Sequence, residues 1–131
     1  MRVEHFPVAV GALVQAVLLF AQLRGGSDLT TGFLFTGFVG GAVAGVLAPE
    51  NGQPWLDGFV AGALGLGLVL AWLVALGVWA SLATPAGVLS GESFAAVAFS
   101  GWVAVLVVPF HAVEGLVGAA VSDALKRRLW T

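Results

Sequence analysis

Apolar residues run along this chain in four long blocks separated by short polar punctuation, and each block predicts a helix long enough to cross a lipid bilayer. The first runs from about Phe6 to Leu23 and ends at Arg24-Gly25-Gly26-Ser27-Asp28, a turn-forming cluster. The second, about Leu29 to Ala48, stops at Pro49, where the ring removes a backbone donor and clashes with the preceding turn. The third, about Gly58 to Ser81, is the most uniformly apolar, with Trp55 and Trp79 near its ends, where indoles favour the membrane interface. Between Leu29 and Leu89 the only charged side chains are Glu50 and Asp57, placed together in the turn that joins the second and third blocks.

After a loop from Leu82 to Ser93, which contains Pro85, Gly87, Gly91 and Glu92, a fourth block begins near Phe94. Counting about 20 residues puts its exit from the membrane near Val113, with Glu114 at the headgroup boundary. Apolar character nevertheless continues past Pro109 as far as Val121. Pro109 predicts a kink, after which the chain to about Leu129 either continues as a helix or lies along the interface, its Lys126-Arg127-Arg128 cluster at anionic lipids. The pattern therefore predicts an all-α polytopic membrane protein. It is a single domain, residues 1–131, of four transmembrane helices spanning about 6–23, 29–48, 58–81 and 94–113.

Composition strengthens this reading. Hydrophobic residues make up 60% of the chain and charged residues 9%, whereas soluble domains carry about 25% charged residues. The absence of cysteine removes disulfides, thiolate metal sites and cysteine nucleophiles. With a net charge of -2 and no basic stripe, a nucleic-acid partner is not expected. Arg2 ahead of an apolar block is one feature of a secretory signal, but Glu4 dilutes the positive region and no A-x-A site follows, so a retained first span is expected. An even number of spans puts both ends on one side. Arg2 and the basic cluster at Lys126 to Arg128 then predict a multi-pass cell-membrane protein with both termini in the cytoplasm, leaving Arg24 outside.

A repeat lies within the blocks. Gly37-Phe38-Val39-Gly40-Gly41-Ala42-Val43 is matched by Gly58-Phe59-Val60-Ala61-Gly62-Ala63-Leu64. Gly37, Gly41 and Gly45 fall four apart and form a side-chain-free stripe on one helix face, and Gly58 and Gly62 begin a second. Lipid supplies no hydrophobic force between helices, so close backbone approach at these five glycines is the expected source of packing energy. The contact is within one chain or between chains. GGAVAG (Gly40 to Gly45), a polar turn and DGFVAGALG (Asp57 to Gly65) together resemble small multi-span membrane proteins of haloarchaea, a family of unknown function. The resemblance implies an integral membrane location and glycine-packed helices, and it brings no catalytic residues.

Candidate chemistry is sparse. His111 and Glu114 are three apart and share a helix face, and the predicted topology returns His5 and Glu4 to the same side of the membrane, a candidate proton relay or metal cluster without a recognised metal signature. The competing reading has His111 and Glu114 capping the membrane exit. Gln15, deep in the first block, is expected to hydrogen-bond a neighbouring helix. Trp72 and Trp79 fall seven apart on the third block and are expected at lipid or helix contacts. No lysine lies in a span to form a retinal Schiff base, a single deep histidine cannot ligate haem twice, and G-x-S-x-G, H-E-x-x-H and phosphate-loop patterns are absent. No cofactor, metal or catalytic residue is predicted. The expected function is a non-enzymatic membrane protein that packs through its glycine faces into a homo-oligomer or a larger membrane complex. The alternative is a small channel or transporter for protons or cations, using Glu114 and His111, with Thr30, Thr31, Thr36, Gln15 and Ser100 as the only polar groups to line a path.

Overall fold

A computed structural model describes residues 2–25, 29–82 and 91–130, with side chains described outside 23–34, 80–81, 91–100 and 103. The turn at 26–28, the loop at 83–90 and the side chains of Arg24, Thr30, Thr31, Ser81 and Ser100 lie outside the described residues. Four helices follow one another: α1 (His5–Gly25), α2 (Leu29–Leu47), α3 (Pro54–Leu82) and α4 (Gly91–Trp130). No strand occurs among the described residues. The fold is the all-α class that the apolar blocks predict. By length and composition, three stretches among the described residues are long and apolar enough to cross a membrane, His5–Gln22, Pro54–Trp79 and Ala104–Trp130, which fits a multi-pass membrane protein. In α2, Leu29–Leu47, the part with described side chains, Phe35–Leu47, is apolar as well.

The turn between α2 and α3 follows its sequence closely. Gly52 N–H donates to the Pro49 carbonyl at 2.9 Å, closing a four-residue turn. Pro54 then opens α3 at the position where its missing N–H costs nothing. The Gln53 carbonyl accepts from Leu56 at 3.0 Å and from Asp57 at 3.1 Å. Asp57 stands in the first turn of α3, where a carboxylate meets the positive end of the helix dipole. It accepts the backbone N–H of Glu4 at 2.9 Å, tying the start of α1 to the start of α3. At the same end of the bundle Lys126 donates to the Ala48 carbonyl at 2.8 Å, so the last turns of α4 satisfy a carbonyl that α2 leaves open. The chain's two ends and the α2–α3 turn therefore share one polar end.

Helices α2 and α3 form the middle of the bundle; α4 packs against both on one side and α1 against both on the other. The segment after Pro109 continues as helix and does not lie apart from the bundle. Pro109 and Phe110 face outward, while His111, Ala112, Gly115, Gly118, Ala119 and Ser122 form a buried stripe seated on α2 and α3. Above the level of His111, Ala16, Leu19, Leu66 and Val69 close the interior, with Phe20, Leu70, Val107 and Val108 packed around them. The outside is apolar: Leu13 and Val17 on α1, Val39 on α2, Leu64 and Leu68 on α3 and Val113 and Val117 on α4 are all exposed. Among the described residues, Gln15, Thr36, Asp57, His111 and Ser122 are the polar side chains that are buried. Such an inverted surface suits hydrocarbon and not water.

A side chain at Gly41 has nowhere to go, because its Cβ would fall on the backbone of Gly115. At Gly67, by contrast, an added Cβ meets nothing within 4 Å. Gly41→Leu is therefore expected to lower unfolding stability in detergent by about 3 kcal/mol, the upper range for overpacking. Gly67→Ala is expected to leave stability unchanged or raise it by up to about 1 kcal/mol through helix propensity. Circular-dichroism melts of the two variants beside the parent check both.

Candidate functional site: a polar triad inside the bundle

Gln15 on α1 and Gly37 on α2 both stand roughly 15 Å along their helices from the polar end, at 1.5 Å per residue. At this level, halfway through the bundle, α1 and α4 reach each other. Gln15 Nε2 lies 3.3 Å from His111 Nδ1, and Glu114 Oε2 lies 3.1 Å from the same Nδ1. His111 and Gln15 are fully buried, and the Glu114 side chain is 15% exposed. The two middle helices should block this contact, since α1 and α4 pack on opposite sides of them. They leave a gap because they carry glycine at this height. A Cβ at Gly37 would stand 2.8 Å from both Glu114 Oε2 and His111 Nδ1. At Gly40 it would stand 2.9 Å from Gln15 Cβ, at Gly65 it would fall on the Gln15 amide, and at Gly62 on the His111 carbonyl.

The remaining glycines of the stripes lie closer to the polar end and meet α4. Gly41 and Gly58 both come against Gly115, and Gly45 comes against Ala119 and Ser122. Gly118 in turn comes against the carbonyl of Phe38, and Gly11 on α1 against that of Gly40. All five glycines singled out from the repeat, Gly37, Gly41, Gly45, Gly58 and Gly62, thus face α4 of their own chain.

The chemistry of the triad turns on one nitrogen with an amide on one side and a carboxyl on the other. When the Gln15 N–H donates to Nδ1, it occupies the single lone pair of that nitrogen, and the Glu114 Oε2 beside it is left without a hydrogen-bond partner among the described residues. When Nδ1 carries the proton it can donate to Glu114, and the Gln15 N–H then loses its acceptor. The arrangement accommodates a single proton between imidazole and carboxyl. Gln15 Oε1 has no hydrogen-bond partner among the described residues.

The structure separates groups that the topology argument brings together. Glu4 pairs with Arg2 at 3.8 Å and, through its N–H, with Asp57, all at the polar end. His111 and Glu114 stand halfway up the bundle, away from the end where a capping role would place them. No group of three or more His, Cys, Asp or Glu side chains suited to a metal ion occurs among the described residues. Gln15 does hydrogen-bond another helix, although the partner, His111, lies on the helix with which α1 has no backbone contact. Trp72 stacks edge-on against Phe20 with ring centres 4.7 Å apart, and Trp79 is exposed.

Several residues escaped the sequence reading. Gly115, Gly118, Ala119 and Ser122 form a small-residue stripe with three- and four-residue spacing, the same signal that marks α2, hidden behind Pro109 and the charged tail. Gly40 and Gly65 belong to the resemblance motifs and give room to Gln15, Gly40 to the backbone of Gly11 as well. No protein-family model, curated protein or solved structure matches the chain.

Replacing Gln15 by Leu keeps the volume and removes the amide. The expected cost is about 1 kcal/mol, one buried hydrogen bond. The imidazole nitrogen resonances of His111 are expected to shift in the variant, and spectra of histidine-labelled protein in detergent, read beside its unfolding curve, test this.

Proposed function

We propose that this is a non-enzymatic integral membrane protein that handles a proton or a monovalent cation at the His111–Glu114 pair. One observation carries the reading: two ionisable side chains and an amide from opposite sides of the bundle converge at mid-height, inside an otherwise apolar fold. The hydrocarbon core is about 30 Å thick, so a site roughly 15 Å from the polar end sits near its centre. Ionisable groups at that depth are costly, and where they occur they mark ion or proton pathways. Arg2 and the Lys126–Arg128 cluster at the polar end favour a cell-membrane orientation with that end, and both termini, in the cytoplasm. Membership of the haloarchaeal family suggested by Gly40–Gly45 and Asp57–Gly65 agrees with this reading but adds no chemistry. In liposomes loaded with a pH-sensitive dye, the parent protein is expected to dissipate an imposed pH gradient and Glu114→Gln to lose that flux. A parent protein without proton or cation flux overturns the proposal.

Self-association, as a homo-oligomer or within a larger complex, is a second reading with its own support. It does not rest on the five repeat glycines, which α4 already covers. Instead, α3 beyond Leu70 buries none of its described side chains, with Leu73, Leu76, Val78 and Trp79 exposed, and α4 exposes Trp102, Val105 and Leu106. An added Cβ at Gly101 meets nothing within 4 Å. These outer halves give a second copy an apolar, glycine-containing surface. Crosslinking in native membranes is expected to trap a dimer or larger species that Gly101→Leu reduces; a monomer under the same conditions removes this reading.

A further inference from the structure

The exposed fraction of the triad belongs to one of its members. Glu114 lies on the row of α4 that also carries Phe110, Val117 and Val121, and those three face outward. Its carboxyl passes over Gly37, where α2 has no side chain to cover it. His111 and Gln15 are fully buried, so Glu114 forms the outer rim of the triad, on the flank between α2 and α4.

The groups around this carboxyl limit its charge. The carboxyl has His111 beside it on α4 and Gly37 against it on α2, while Gln15 of α1 meets the same imidazole nitrogen; on α3, Gly62 lies against the His111 backbone and Gly65 against Gln15. The carboxylates of Asp57 and Glu4 are at the polar end, and the described Lys and Arg side chains, Arg2, Lys126, Arg127 and Arg128, lie at that end too. An anion on this rim would stand at hydrocarbon with imidazole as its only partner of potential positive charge, and partial exposure to lipid leaves such a pair poorly compensated. Metal ions require more donors than His111 and Glu114 provide: zinc takes four ligands and calcium six to eight oxygens.

We infer that the ion held by the pair is a proton, carried as the carboxylic acid O–H of Glu114 beside the His111 imidazole, and that the part-exposed side chain of this acid is open to apolar reagents from the hydrocarbon flank between α2 and α4. The inference rests on the proton- or cation-handling reading for its biological meaning, but it concerns a chemical property that is measured separately. A neutral carboxylic acid adds across a C=N bond of a carbodiimide: its proton goes to nitrogen, its oxygen bonds to carbon, and no group leaves. A carboxylate has no proton to give.

The test uses the full chain in phosphatidylcholine vesicles, treated with the apolar reagent dicyclohexylcarbodiimide or with a water-soluble carbodiimide, followed by peptide mass mapping. Dicyclohexylcarbodiimide is expected to modify Glu114, faster at lower pH, while the water-soluble reagent modifies Glu50 or Asp123 at the polar end and spares Glu114. Glu114→Gln should lose the modification. Gly37→Ala, which places a methyl beside the carboxyl, should change its rate by several-fold in either direction in protein that still melts cooperatively. Failure of dicyclohexylcarbodiimide to modify Glu114, equal modification by the water-soluble reagent, or slowing by sodium at fixed pH would each overturn the inference, the last by assigning the site to a metal cation. Flux without modification overturns this inference alone, whereas modification without flux supports it and overturns the transport reading.

Discussion

The structure depends on how closely helix backbones approach where side chains are missing. Gly41, Gly58 and Gly115 meet at one level of the bundle, and each occupies space that a single methyl group would fill with another helix's backbone. Helix α4 can settle between α2 and α3 only because this crossing is free of side chains. In water such a crossing would be supported by burial of apolar surface. In lipid that contribution is largely absent, and contact distance decides whether dispersion forces accumulate. The same absence of side chains at Gly37, Gly40 and Gly65 leaves the gap through which Gln15 meets His111. Packing and the polar site therefore share one cause.

That shared cause explains why the fold was easier to read than the site. Four apolar blocks, Pro49, Pro54 and the acidic turn determine helices and the α2–α3 connection through local chemistry; each block has a helix as its counterpart, three of them with a described stretch of spanning length. The position of Glu114 was less legible. Counting about 20 residues from Phe94 treats the membrane as beginning where the fourth block begins. Helix α4 is 40 residues long, so it can be placed at many depths, and its seat is chosen by the small stripe from Gly115 to Ser122. The partnership of Gln15 with His111 was hidden for a related reason. It crosses between helices that do not touch through their backbones, and no spacing along one helix signals it.

The apolar exterior and the polar interior have different consequences. Outward-facing Val, Leu and Trp side chains match a hydrocarbon solvent without specifying a partner. Inside, polar side chains are few, and four of them have partners that fix them: Asp57 accepts the Glu4 N–H from ahead of α1, Gln15 of α1 meets His111 of α4, and Glu114 stands beside His111 on the same helix. The two sets are separated by about 12 Å of α3, from Asp57 to Gly65, with Ala61 and Gly11 packed between. The polar end and the central triad are thus distinct sites and not successive steps of one chain of hydrogen bonds.

The Lys126 bond to the carbonyl of Ala48 also bears on how the molecule is assembled during synthesis. Among the described helices, α4 is made last, yet it supplies the imidazole, the carboxyl, the glycine seat and the cap that closes the α2–α3 hairpin. Taken without α4, the arrangement of α1, α2 and α3 is an open trough lined by glycine, with the Gln15 amide at its floor. It is α4 that fills the trough, so a product that stops short of it would leave glycine backbone and an unmatched amide facing lipid.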